Sequence, residues 1–481
     1  MTHDVTPPSD PESQQSVIRP LGRVGVFLVI AVGLLVVRVD WLPIIVPDSL
    51  LYLDHSNDLL GMGVVQVGYR QFGYPLWLAS ADFAARLSGT EPLAVTVVLQ
   101  RMLLIASVGV SMFVLRWWAI PTALLLLLPT AVAYSNFILT EAIAIPIAVI
   151  AAAASVALFQ EHRQSVTLIW IGVAAVAGAV LPMIRLHYLV VTTGVLAAIL
   201  ISTRTGEGTI RRWAVVAASA VALGTVILVG SLALENLDEN EVFFPSLGSD
   251  RWLFWASWET VVTRHRDDVA VALPEIYLDG GPGAFTVMID ESGGTFRERQ
   301  GAFAAAVDQI YQVTGASLTA ERAKSFVGVL GGSRIDDLGP VLRAAASRDA
   351  ARDPNRYIHQ YGAVEPVDID KIALQYNAGR TPTAALSISS RFPLIPTPYL
   401  GLLITALIPM ATIVGLFLLQ FKPSRVLALI GLGVIFGYAA SSFLFLMDNL
   451  RFLLPGYLFA VVAVSGAAQL YWPTRNPDVR L

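Results

Sequence analysis

Residues 24–52 read VGVFLVIAVGLLVVRVDWLPIIVPDSLLY, an apolar run from Val24 to Val46 that breaks at Pro47-Asp48-Ser49-Leu50-Leu51-Tyr52. A run of this kind is long enough for a membrane span, which needs about 20 apolar residues. The break places a carboxylate, a hydroxyl and a phenol where the helix would leave the bilayer. Arg19 and Arg23 precede the run and no small-x-small cleavage pattern closes it, so it reads as an uncleaved anchor rather than a removed signal peptide. Composition agrees: the 481 residues are 55% hydrophobic and 14% charged, with a mean hydropathy of +0.64, far more apolar than a soluble globular chain. The net charge of -4 with no basic block gives nothing to attract nucleic acid. There are no cysteines, which excludes disulfides, thiolate metal sites and cysteine nucleophiles.

Further apolar stretches follow at Leu93–Leu115, Ile120–Ser135, Leu139–Phe159, Val166–Ile184, Tyr188–Ser202, Trp213–Leu234, Pro398–Gln420, Val426–Met447 and Phe452–Tyr471. The fold class expected is an all-α polytopic membrane protein, a bundle of about ten transmembrane helices with a mainly helical extracytoplasmic domain. Residues 1–22 form a disordered cytoplasmic tail, with Pro, Ser, Asp and Gln prominent up to Gln15. Residues 23–234 form an N-terminal transmembrane module, 235–397 the large soluble segment, 398–471 the C-terminal transmembrane helices, and 472–481 a second cytoplasmic tail. With the N-terminus inside, Arg116, His162 with Arg163, Arg204 with Arg211 and Arg212, Lys422 with Arg425, and Arg475 with Arg480 all fall on the inner side. That agreement with the positive-inside rule sets the orientation, with Asp48 and 235–397 outside, in the cell membrane.

In 235–397, Phe303, Val307, Ile310 and Tyr311 recur at helical spacing and glycine pairs begin at Gly280, Gly293 and Gly331, as expected of a folded helical cap. Trp252, Trp255 and Trp258 would form one stripe on a helix; an interfacial belt and a sugar-stacking platform both fit it, the belt being the more economical reading.

Charged groups at the edge of a membrane are expensive, so they are usually paired or functional. Arg38, Asp40 and Arg101 sit within or near the first two spans, and an Asp40–Arg101 ion pair accounts for them. Asp48 can cap the helical-looking run that follows it. Capping leaves unexplained why Tyr52, one turn on, and His55 crowd the same helical face as Asp48. Gly68-Tyr69-Arg70-Gln71-Phe72-Gly73-Tyr74-Pro75-Leu76-Trp77 combines a cation with aromatic rings, which suits a sugar and equally suits an interfacial belt with a snorkelling arginine. Glu141 falls in the first turn of the fourth span, where the helix dipole also favours a carboxylate. Arg185 and His187 occupy the turn between the fifth and sixth spans, and Asp448 and Arg451 the turn between the last two. All of these fall on the outer side. Arginines there run against the positive-inside rule and are well suited to gripping a phosphate.

In this order the chain resembles the GT-C superfamily of integral membrane glycosyltransferases, in particular bacterial members similar to protein mannosyltransferases and aminoarabinose transferases. The resemblance rests on Asp48-Ser49-x-x-Tyr52, Gly73-Tyr74-Pro75-Leu76, Gln100-Arg101, Leu139-Thr140-Glu141, Arg185, and Arg451 with Pro455, and covers the membrane part of the chain. It implies a polyprenyl-phosphate-linked sugar as donor, Asp48 as the catalytic base, and Glu141 and Arg185 lining the same cavity. The expected acceptor is a glycan, lipid or protein of the cell envelope. The insert at 235–397 departs from members that carry their soluble domain after the last span, which leaves the acceptor open.

The expected activity is therefore inverting transfer of a hexosyl or pentosyl unit. Catalysis is assigned to Asp48 and Glu141, and substrate binding to Tyr52, His55, Tyr69, Arg70, Tyr74, Arg185, His187, Asp448 and Arg451, with membrane lipids as surroundings. No cofactor is called for; Asp48, His55 and Glu141 are metal-ligand types but lack tight spacing on one element. A transporter or flippase of a lipid-linked or small polar substrate is the alternative. Against it, the polar groups gather at one face rather than the midplane and no internal repeat is visible.

Overall fold

The computed structural model describes residues 49, 52–53, 55–57, 59, 71–127, 135, 138–160, 163–204, 208–240, 249–278, 281–331, 397–446 and 450–475. Among these the regular structure is helical throughout, and six helices are long and apolar enough to cross a membrane. They answer to the expected spans beginning at Leu93, Leu139, Val166, Trp213, Val426 and Phe452. The expected span at Tyr188 answers to an apolar helix, Leu186–Ser202, that falls short of that length, and the expected span at Pro398 to the helix Thr397–Leu418, within which Leu407–Leu418 is a shorter apolar stretch. The stretch Val24–Val46 lies outside the described residues, and Ile120–Ser135 is described as a helix only as far as Leu127.

Helix α1 (Gly73–Ser88) is followed by α2 (Pro92–Leu115), α3 (Ile120–Leu127), α4 (Glu141–Gln160), α5 (Gln164–Ile184), α6 (Leu189–Ser202) and α7 (Gly208–Asn240). Helix α4 is the hub: it packs against α2, α5 and α6, and against the last helix of the chain, α15 (Leu450–Arg475). Its sequence, EAIAIPIAVIAAAASVALFQ, explains this, because a run of alanines lets neighbouring backbones approach closely. At the α4–α15 crossing a Cβ on Gly466 would lie 2.4 Å from a Val156 methyl, so a glycine is required there. Away from the α1 side, Gln160 donates to Gln469 (2.9 Å), clasping the far ends of α4 and α15. Helix α7, by contrast, lies on the rim against α5 and α6 with most of its apolar side chains exposed, as for a helix facing lipid. It runs on to Asn240, past the domain boundary expected at residue 235.

Helix α1 answers to none of the expected spans, and it is amphipathic. Tyr74, Leu78, Ala81 and Ala85 are buried against α2, while Leu76, Phe83 and Leu87 are exposed. Gly73 begins it where a Cβ would lie 2.6 Å from the Met183 carbonyl, and this close approach to the last turn of α5 sets the position of Tyr74.

The segment after α7 builds a second core from α8 (Ser249–Ser257), α9 (Arg266–Ala272), α10 (Gly281–Glu291), α11 (Phe296–Thr314) and α12 (Leu318–Leu330). Phe303, Val307, Ile310 and Tyr311 form the buried stripe of α11, as their spacing predicts. A capping box, Thr295 with Glu298, starts this helix and Gly315 in the left-handed conformation ends it. The tryptophan stripe differs from both expectations. Trp258 is 9% exposed and stacks on Tyr277 (5.6 Å between centroids), and Trp255 donates to the Thr286 hydroxyl (3.1 Å). Only Trp252, 44% exposed, stays largely at the surface, because the stripe is the side of α8 that closes this small core.

The two cores meet through α12, which packs on α14 (Lys422–Phe445) and touches α13 (Thr397–Leu418). Val329 is fully buried among side chains of the apolar bundle, and its carbonyl accepts from the Tyr457 hydroxyl (2.7 Å). Ser325 and Ser442 share a buried hydroxyl–hydroxyl hydrogen bond.

Candidate functional site

Three well-separated stretches supply one buried polar cluster. Thr140 and Glu141 come from the start of α4, Arg185 follows the end of α5, and Tyr52 comes from the first polar break. Arg185 stands where the chain leaves α5 in an extended conformation (φ -156°, ψ 136°) before the short 3-10 turn Leu186–Tyr188 leads into α6. That change of direction turns the side chain toward α4. Its Nε donates to Thr140 Oγ1 (2.8 Å) and its Nη2 donates to the Tyr52 hydroxyl (3.2 Å). The same Nη2 lies 3.3 Å from Glu141 Oε1.

The surroundings are dry: Glu141 is 0% exposed and Arg185 8%. Tyr52 meets Tyr74 edge-to-face at 5.1 Å, and Gln100 Nε2 donates to the Tyr74 hydroxyl (3.4 Å). Gln100 and the fully buried Arg101 both belong to the polar stripe of α2, which also carries Thr96, Ser107 and Ser111. Next to Arg185, His187 packs edge-on against Tyr188 (4.2 Å) and against Tyr438 of α14 (6.2 Å). Both tyrosines are buried, and their hydroxyls have no hydrogen-bond partner among the described residues. Each such hydroxyl costs about 1–3 kcal/mol if nothing satisfies it.

Of the expected site residues, the structure thus brings together Tyr52, Tyr74, Glu141 and Arg185, with His187 beside them. His55 is half-buried on the helical stretch that carries Tyr52, one turn further on. Arg451 stands in the first turn of α15. Asp48, Tyr69, Arg70 and Asp448 lie outside the described residues, as does Asp40, the partner expected for Arg101. Ser49, adjacent to Asp48, is described and fully buried. Tyr188 and Tyr438 join the cluster although the sequence reading does not single them out. A signal exists for Tyr188, which follows His187, and is weak for Tyr438, one phenol in an apolar span.

A buried arginine–carboxylate pair is costly to desolvate and adds little stability over an apolar pair of the same volume. What it does offer is a guanidinium held in place by three oxygen partners, ready to share its donors with an incoming anion. The phenols and Gln100 supply neutral hydrogen-bonding groups around it. Among the described residues no group of three or more His, Asp or Glu side chains is arranged to hold a metal ion. Compared with known proteins, the chain matches no family model, no curated protein and no solved structure.

Proposed function

We propose that the chain is an inverting glycosyltransferase of the GT-C type that moves a sugar from a polyprenyl-phosphate carrier to a hydroxyl acceptor of the cell envelope. The site would lie on the extracytoplasmic side of the plasma membrane. The observation that supports this best is the convergence of Tyr52, Thr140, Glu141 and Arg185 at one end of an apolar helical bundle. A buried guanidinium is the group a membrane site needs for a lipid phosphate, and the carboxylate, hydroxyls and rings around it are the groups a sugar needs.

In this reading Asp48, one residue from the buried Ser49, removes the proton from the acceptor hydroxyl as its oxygen attacks the anomeric carbon. The new C–O bond forms on one face while the bond to the phosphate oxygen breaks on the other, so configuration inverts and polyprenyl phosphate leaves with the electron pair. Arg185 holds the charge that gathers on that phosphate, and Arg451 is assigned to the same task, so no strong acid is needed. Glu141 holds Arg185 in register.

The test uses the full chain in liposomes with polyprenyl phosphates carrying different hexoses and pentoses, and measures donor binding and single-turnover transfer. Asp48→Asn should retain donor binding and lose about 10²–10⁴-fold in transfer. Normal transfer by that variant would remove Asp48 as the base and turn attention to Glu141. Movement of an intact lipid-linked sugar across the liposome, without bond cleavage, would establish the transporter reading instead.

A further inference from the structure

Two buried phenols beside the ion pair have no part in that mechanism. Tyr188 is fully buried and Tyr438 is 2% exposed, and neither hydroxyl has a hydrogen-bond partner among the described residues. They flank His187 from two different helical elements, at 4.2 Å and 6.2 Å between rings. Tyr188 ends the short 3-10 turn that Arg185 caps, its backbone N–H donating to the Arg185 carbonyl (3.1 Å), so it stands beside the ion pair in the chain and in space. Tyr438 is held by a specific accommodation: a Cβ on Gly456 would lie 2.3 Å from its ring, so only glycine lets the phenol end lie against α15.

Protein closes the flank beyond Tyr438. Ser442, one helical turn further along α14, meets Ser325 of α12, and Tyr457 donates to the Val329 carbonyl (2.7 Å). The unsatisfied hydroxyls therefore lie within the molecule, on either side of His187, and not at a free surface. Buried polar groups without partners are rare, and such a group next to a candidate site points to a ligand that supplies the missing bond.

The chemistry of the pair selects that ligand. An anion would choose the guanidinium, a cation the carboxylate, and an apolar group would leave both hydroxyls unsatisfied. A neutral hydroxyl, which both donates and accepts, matches a phenol at each contact. We propose that Tyr188 and Tyr438 form an uncharged subsite beside the Glu141–Arg185 pair that takes ring hydroxyls of the transferred sugar, an inference that rests on the glycosyltransferase reading. Arg185 then reads the phosphate and the phenols read the sugar, so affinity for the carrier and selectivity for its cargo reside in different side chains.

The experiment compares wild type, Tyr188→Phe and Tyr438→Phe, full chain in lipid, for binding of three probes. These are polyprenyl phosphate alone, the sugar-bearing donor that wild type binds best, and analogues of that donor each lacking one ring hydroxyl. Each substitution deletes only an oxygen and should weaken the complete donor about fivefold to tenfold, the size of one neutral hydrogen bond. The loss should vanish for the analogue lacking the matching hydroxyl, and bare polyprenyl phosphate should bind all three proteins alike. If the variants keep the wild-type ratio between complete and deoxy donors, the hydroxyls meet ordered water only and the inference fails. Equal loss for bare lipid and donor would make them structural and overturn it as well. Wild type that binds no polyprenyl phosphate sinks both the inference and the functional reading; normal lipid binding with unaltered sugar discrimination sinks the inference alone.

Discussion

Replacing Arg185 by Met keeps the length and volume of the side chain but takes the cation away from Glu141, which is fully buried 3.3 Å from it. Breaking a buried pair from one side typically costs about 3–5 kcal/mol, because a charge stays in a dry site without its counter-ion. Glu141→Gln should cost less, about 1–3 kcal/mol, since the guanidinium keeps Thr140 and Tyr52 as acceptors at 2.8 Å and 3.2 Å. The double variant has neither charge, and its loss should fall short of the sum of the two single losses by about 1–3 kcal/mol. The assay is reversible unfolding in mixed micelles, titrated with denaturing detergent, on all four members of the cycle. Additivity to within about 0.5 kcal/mol would refute the reasoning, because uncoupled residues at this separation would mean that the pair is not desolvated together. Polyprenyl phosphate binding should be lost in both variants lacking Arg185, however stable the double variant proves.

Gly73→Ala should weaken donor binding and turnover more than stability, since a Cβ 2.6 Å from the Met183 carbonyl pushes the Tyr74 end of α1 away from α5; unchanged turnover would show that this close approach does not set the site. Gly466→Ala should destabilise by about 1–3 kcal/mol through its 2.4 Å approach to Val156, and Val156→Ala should recover most of the loss, as measured by the same detergent titration. Partial burial alone would raise the Glu321 carboxyl, but hydrogen bonds from Lys324 and Arg264 hold it below its usual value. A depressed folded value means that this contribution is complete above the unfolded carboxyl value of about 4.3 and is lost as pH falls through the lower folded value. Hydrogen exchange in α12 should therefore rise in that acid window, and Glu321→Gln should flatten the dependence.

What the sequence disclosed follows from where free energy is concentrated. Glu141 and Arg185 were legible because a charge at the end of an apolar run has few reasons to be there, and the helices then bring those ends together. Phe303, Val307, Ile310 and Tyr311 were legible because amphipathic periodicity survives in a helix with one solvated face. Where every face of a helix is buried or faces lipid, periodicity vanishes. Tyr438 and Tyr457 therefore blend into apolar spans, and nothing in the composition of α12 announces that Val329 joins the core of the bundle. The tryptophan stripe was ambiguous for a related reason: an aromatic face is equally suited to lipid, ligand or a small core, and only the partners Tyr277 and Thr286 decide which.

Two arginine–glutamate pairs among the described residues serve different ends. Arg264–Glu321, with Lys324 at 2.7 Å on the same carboxylate, has 48% and 62% of its cationic side chains exposed, so solvent screens the cations and can replace either of them on the carboxylate. Arg185–Glu141 is sealed inside an apolar bundle, where an apolar pair of similar volume would serve the fold as well or better. The hydrogen bonds to Thr140 and Tyr52 reduce the desolvation cost without removing the charge. A charge kept where the fold does not need it, with oxygen partners that an anion can replace one by one, is suited to exchange: under the proposed function the guanidinium would be paired with Glu141 in the empty site and shared with a phosphate in the filled one. Under that proposal a hydrogen bond from Nε or Nη2 to the phosphate would replace a contact that Arg185 already makes to Thr140, Tyr52 or Glu141, which would limit how tightly the lipid is held and so ease release of the carrier after each turnover.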